Sequence, residues 1–159
     1  MRERVVLHPE LKKWIDERRF RYPTARSLLV PALLQAQKHH GYISPEVELG
    51  LADLIGVPAQ EVHSVASFYS MLHKHPVGRH IIQVCHNISC YLRDAEDVIA
   101  FLESTLGIKV GETTEDGRFT LVTVECLAAC GNAPVMMIDE KLVEEVSLEK
   151  ARRAVSEAD

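Results

Sequence analysis

Four cysteines carry the only concentrated chemistry in this sequence. They lie at Cys85, Cys90, Cys126 and Cys130, as a C-x4-C pair and a C-x3-C pair separated by 35 residues. Four cysteinyl sulfurs suit either a structural zinc ion or an iron–sulfur cluster. Zinc sites usually use tight C-x2-C knuckles, because one metal must gather two sulfurs from one turn, and neither pair has that spacing. A [2Fe-2S] cluster offers two irons, each needing two thiolates, so one pair could serve each iron. Thioredoxin-type dithiol chemistry wants C-x-x-C at a helix N-terminus, and that is missing. Buried structural thiols need no paired spacing beside loops. The spacing favours iron–sulfur over zinc, and leaves open both metals and the pairing of cysteines with irons.

The eight histidines add little. His86 adjoins Cys85, but a Rieske site replaces two cysteines by histidines, and here all four cysteines are present. His39 and His40 end a helix, where imidazolium suits the dipole, while His73 and His75 lie in a polar junction. Surface roles are expected for each. No G-x-G-x-x-G, P-loop, G-x-S-x-G or H-E-x-x-H occurs. With no substrate or nucleotide site in evidence, the cysteine cluster points to a one-electron carrier.

The elements that must position the cysteines fall into two groups. At 159 residues the chain has room for two small domains, and a 47% hydrophobic share excludes wholesale disorder. The first part reads as four short helices. His8-Pro9 opens one with Leu11, Trp14 and Ile15 on a face, and Thr24 can cap a second that carries Leu29, Leu33, Ala36 and His40 and stops at Gly41. Pro31 inside that stretch predicts a kink or a start close to it. Ser44-Pro45 starts a third helix, ending at Gly56, and Pro58 a fourth, running to Phe68-Tyr69.

From Pro76 the pattern changes to strands. Arg79 to Val84 is one, with Cys85 at its end and Cys90 in the loop beyond. Asp94 can cap a helix with Ile99, Leu102 and Leu106 on one face, stopped by Gly107. Phe119 to Val124 is a second strand, with Cys126 and then Cys130 past its end. Val135 to Ile138 and Leu142 to Val146 flank a turn, and Ser147 caps a last helix through Leu148, Ala151 and Val155. The order β-α-β-β-β-α resembles a thioredoxin-like sandwich, so the expected class is α+β: a helical domain over 1–75 and a thioredoxin-like domain over 76–159.

Charge and chain ends bound the setting. The net charge is −5, yet residues 1–26 carry eight Lys/Arg against four Asp/Glu. Acids interleave with the bases there, which argues against nucleic-acid binding and for a solvated helix face or a docking surface for an acidic protein. No secretory signal is read at the start, and the longest apolar run, Leu28 to Leu34, is too short to span a bilayer. A reducing cytosol is expected, where paired cysteines serve metals or redox chemistry rather than disulfides.

The segments Val65-Ala-Ser-Phe-Tyr69, Pro76-Val-Gly-Arg79, Val84-Cys-His-Asn-Ile-Ser-Cys90, Gly111-Glu-Thr-Thr-Glu-Asp-Gly-Arg-Phe119, Val124-Glu-Cys-Leu-Ala-Ala-Cys130 and Ala133-Pro134 together resemble the NuoE-type subunits of NADH-quinone oxidoreductase, respiratory complex I. The resemblance covers nearly the whole chain. It implies one [2Fe-2S] cluster on Cys85, Cys90, Cys126 and Cys130, and a NuoF-like flavoprotein partner that holds FMN and binds NADH. It also implies a peripheral place on the cytoplasmic side of the inner membrane, with no independent active site. Related subunits serve NAD-linked hydrogenases and formate dehydrogenases. Three residues depart from the common pattern: Ser64, Asp94 and Ala128 stand where relatives often have Gly. A positive φ at Ala128 would cost on the order of 1 kcal/mol against Gly. A zinc-stabilised adaptor is the alternative from another class.

Overall fold

The computed structural model describes residues 7–158 and divides into two compact units, Met1–Pro76 and Val77–Asp159. The first unit is helical: α1 (Pro9–Arg18), α2 (Leu29–His40), α3 (Pro45–Ile55) and α4 (Ala59–Phe68), with 3-10 turns at Arg19–Arg21 and Arg26–Leu28. His8 caps α1 and Ser44 caps α3, each followed by Pro at the first helical position. Pro31 causes no break, because α2 begins two residues before it and its missing N–H falls among the first-turn donors that have no intrahelical partner anyway. The Thr24 hydroxyl accepts from the Ser27 N–H at 3.2 Å and so opens the short 3-10 turn rather than α2. Gly56 ends α3 in the left-handed region at φ +84°.

Leu11, Ile15, Leu33, Ala36, Ile43, Leu51, Ile55 and Val62 form the apolar core of this unit. The Arg19 guanidinium donates to the carbonyls of Leu54 (2.8 Å) and Ile55 (3.1 Å), satisfying the free C-terminal carbonyls of α3. Glu48 is a buried carboxylate held by the Lys74 ammonium and by His63 Nδ1 at 2.9 Å, which ties α3 to α4 and to the segment after it. A buried charge needs such partners.

The second unit is an α/β layer. It comprises β1 (His80–Cys85), α5 (Ile88–Tyr91), α6 (Ala95–Leu106), β2 (Phe119–Val124), β3 (Met136–Ile138), β4 (Lys141–Val143) and α7 (Leu148–Ser156). The sheet order is β2-β1-β3-β4, with β1 and β2 parallel and the other pairs antiparallel. Ile82, Val84, Leu121 and Met136 from the sheet pack with Val98 and Leu102 of α6 and Ala151 and Val155 of α7. The last strand is shorter than expected, because Glu145 takes φ +48° and the Val146 N–H turns back to the Pro134 carbonyl at 2.9 Å. Leu148, the first residue of α7, is exposed, while Ala151 and Val155 are buried.

Two locks hold the start of the sheet. A Cβ on Gly78 would stand 2.7 Å from the Phe119 carbonyl carbon and 2.9 Å from the Thr120 nitrogen, so the backbones approach only because Gly is there. Gly78 also donates its N–H to Thr120 Oγ1 at 2.6 Å. Asp139 accepts from the Ile81 N–H at 3.0 Å and pairs with His80 Nδ1 at 2.8 Å. His80 is buried, against the expectation of a surface histidine.

Gly78→Ala should destabilise the second unit by about 2 kcal/mol through overpacking, read as a lower denaturant midpoint; an unchanged midpoint would refute the close approach. A second expectation concerns His40 and His73. Burial holds both imidazoles below the ordinary value, with His39 and His8 adding to the effect at His40. The helix end favours a charged His40 through the dipole, and the environment does the reverse. Their contribution to stability is therefore full above about pH 6.5 and declines as pH falls through that value toward their lowered folded values. Denaturant unfolding followed by the fluorescence of Trp14, the single tryptophan, should show this loss, and its pH slope should shrink in the double variant His40→Gln, His73→Gln.

Candidate metal centre

The parallel pairing of β1 and β2 decides where the cysteines meet. In register, Cys85 stands beside Val124, the last residue of β2, so both strands deliver their C-terminal ends to one edge of the sheet. Cys85 is the final residue of β1, and its N–H donates to the Val135 carbonyl at 3.1 Å. Cys90 does not lie in an open loop. It sits on the single turn α5, whose start is capped by the Asn87 side chain accepting from the Ile88 N–H at 2.6 Å. Cys126 lies two residues past β2, and Cys130 opens a 3-10 turn, Cys130–Asn132.

The four side chains come together as two neighbouring pairs. Cys85 lies beside Cys90 and Cys126 beside Cys130, and Cys130 is close enough to interact electrostatically with both members of the other pair. The pairs differ in burial: Cys85 and Cys90 are buried among Ala95, Ala133 and Val135, whereas Cys126 and Cys130 are exposed. Burial pushes the Cys90 thiol up, reinforced by its bond to Cys85 and opposed by the Val135 N–H. The Cys130 thiol is raised by its hydrogen bond to Cys126 and then by the charge there. The two shifts have different leading causes: the buried Cys90 thiolate lacks water, and the exposed Cys130 thiolate would stand beside Cys126. A bound cation reverses that balance and deprotonates a coordinating thiol outright.

The sulfurs do not form a tight single-ion cluster in the unliganded chain. A tetrahedral zinc with Zn–S of about 2.3 Å places its four sulfurs about 3.8 Å apart. Among the described residues, the one triple of His, Cys, Asp or Glu whose ligand atoms lie within 4.8 Å of one another is His8, Glu10 and His39, so no three sulfurs gather that closely. Two pairs of thiols are the donor set a two-iron centre uses. The histidine triple is itself poorly disposed for a metal: the His8 and His39 rings stack within 8° of parallel at 4.5 Å, and their in-plane lone pairs share no common point.

Backbone N–H groups address the sulfurs. Ala128 donates to Cys126 Sγ at 3.2 Å, and Val135 serves Cys90. Beside the site, His86 Nε2 lies 3.3 Å from Glu125 Oε1. Asp94, expected to cap α6 with its side chain, makes no such bond; instead it sits at φ +64° in the left-handed region. Ala128 is likewise at φ +59°. Two of the three residues that stand where relatives often have Gly therefore occupy Gly-like backbone. The third, Ser64, is an ordinary helical residue of α4 that donates its hydroxyl to the Gln60 carbonyl at 2.8 Å.

A helical unit, a mixed sheet with helices packed on it, and four thiols at the ends of two parallel strands define a class. The chain belongs to the thioredoxin-like [2Fe-2S] ferredoxin family, whose profile matches residues 15–159. Within it, the chain is similar to the E subunits of bacterial NADH-quinone oxidoreductases. It is 45% identical over 130 residues to the second such E subunit of Rhizobium meliloti, covering 82% of this chain and 77% of that one. It is 39% identical over 138 residues to the E subunit of Pseudomonas aeruginosa, covering 87% and 83%. It is 40% identical over 126 residues to the E subunit of Escherichia coli, covering 79% and 76%. Among solved structures it is similar to an NAD+-reducing [NiFe]-hydrogenase in the air-oxidised state, with TM-score 0.72 and 19% identity over 82% of this chain. The match spans about a fifth of the hydrogenase chain, 22%, and establishes the shared fold.

The geometry predicts two classes of thiol in the metal-free chain. Timed alkylation with mass readout should label Cys126 and Cys130 first and Cys85 and Cys90 at least about tenfold more slowly; four equal rates would contradict the burial pattern.

Proposed function

We propose that this chain holds one [2Fe-2S] cluster on Cys85, Cys90, Cys126 and Cys130 and works as a one-electron carrier in an NADH-quinone oxidoreductase. The observation that carries the reading is the meeting of four thiols at one sheet edge, Cys85 and Cys90 from the end of β1 and α5, and Cys126 and Cys130 from the segment past β2. The donor set fits the cluster, because all-sulfur ligation and N–H groups aimed at sulfur are what such a centre uses. Identity of 39–45% to the bacterial E subunits supports the assignment to the complex.

The bound cluster would supply reversible one-electron chemistry. The chain's own residues do the rest. Cys85 and Cys90, backed by Ala95, Ala133 and Val135, keep water from one side, while Cys126 and Cys130 at the surface give electrons a short exit. We place the flavin partner on that edge: a NuoF-like subunit with FMN and NADH, from which single electrons are taken after hydride transfer. Ile88, Tyr91 and Leu92 flank Cys90 and are 64%, 57% and 70% exposed, an apolar rim suited to a protein partner. The basic N-terminal segment supports a further contact, since Phe20 is 80% exposed between Arg19 and Arg21. None of the described helices is long and apolar enough to cross a membrane, and the proposed position is peripheral, on the cytoplasmic side.

Purified with its cluster, the chain should be reddish-brown and contain about two irons. Cys126→Ser should lose most of that iron while the helical unit stays folded by circular dichroism; full iron content would remove Cys126 from the ligand set. A colourless protein with one zinc would end the redox reading. Tyr91→Glu should retain the cluster yet bind the flavoprotein partner about tenfold more weakly, and unchanged affinity would move the interface elsewhere.

A further inference from the structure

The loop between Cys126 and Cys130 contains a conformation that nothing in its packing explains. Ala128 lies at φ +59°, where a Cβ is unfavourable, and its side chain is exposed, so no burial of the methyl offsets the strain. What the conformation does provide is direction: the Ala128 N–H points back to Cys126 Sγ at 3.2 Å. The other sulfurs are served differently. Cys90 lies against the backbone of Val135, and the Cys85 thiol donates to the Glu125 carbonyl at 3.7 Å.

We propose that the Ala128 N–H sets the reduction potential of the centre, and that the left-handed backbone at Ala128 is retained because it aims this donor at Cys126. This rests on the cluster assignment above. Reduction adds one electron, delivered by the partner flavin, and no proton. The added negative charge is shared with the thiolate ligands, and a donor dipole aimed at one of them stabilises the reduced form more than the oxidised form, raising the potential. Cys126 is exposed, and the N–H gives it a fixed dipole that needs no reorganisation when the electron arrives. Ala128 is a positioning residue: it acts on the ligand sulfur through its backbone.

The test uses the cluster-loaded chain with the amide of Ala128 exchanged for an ester, which replaces the N–H donor by an oxygen while keeping the side chain and the course of the backbone. Dithionite serves as reductant and electron paramagnetic resonance as the readout of the potential. The ester should keep its iron and show a more negative midpoint potential than the parent. Ala128→Gly, which keeps the N–H and relieves the strain, should leave the potential unchanged and raise the melting temperature of the second unit by about 4 °C or more. An iron-loaded ester with the parental potential overturns the proposal. So does an ester that takes up no iron, since the N–H would then serve assembly, and so does a Gly variant that shifts the potential or melts no higher. Failure of the cluster assignment would show separately, as a parent protein without two irons.

Discussion

The constraint on this edge of the second unit is the gathering of four thiols at the ends of two parallel strands. Burial raises the Cys90 thiol and the neighbouring Cys126 raises Cys130, so neither ionises readily without a cation beside it. A fold that tolerates the arrangement must supply positive charge and fix the sulfurs where the charge will sit. The parallel β1–β2 pair does the fixing: its register carries Cys85 and the Cys126 loop to the same sheet edge. The Gly78 contact and the His80–Asp139 pair act at the other end of β1, where they secure the strand without intruding on the site.

The backbone accommodates the same constraint by accepting strain. Asp94 and Ala128 both lie at positive φ, one just after the Cys90 turn and the other inside the Cys126 loop. Glycine would take those angles at lower cost. The chain bends sharply beside both cysteine pairs, and non-glycine residues hold the bends. Burial divides the pairs into an inner and an outer one, so the centre is anchored on one side and open on the other.

Much of this was legible in the residues. Helix boundaries followed from Pro at first positions and Gly past the ends, as at Ser44-Pro45 and Gly56, because those residues restrict φ locally whatever surrounds them. Strand β2 was readable as the run Phe119 to Val124. Spacing alone singled out the four cysteines, and the register of β1 and β2 brings them to one sheet edge. What sequence could not show was set by long-range contacts. The single turn at Ile88–Tyr91 is too short for a periodic signal. The end of β4 depends on Val146 meeting Pro134, and the neutral preference of His40 depends on burial. The carboxylate partners of His80 and His63 lie 59 and 15 residues away, beyond any local pattern. The Gly-to-Ala departure at Ala128 flagged the strained position, but its N–H target needed coordinates.

The central claim is that these four sulfurs hold two irons and no other metal. X-ray absorption at the iron edge of the loaded protein tests it most directly. The predicted result is all-sulfur coordination around every iron and a short iron–iron vector, both lost together when Cys126 is replaced by Ser. Nitrogen or oxygen among the iron ligands, no iron–iron vector, or a single zinc with four sulfurs at about 2.3 Å would contradict it.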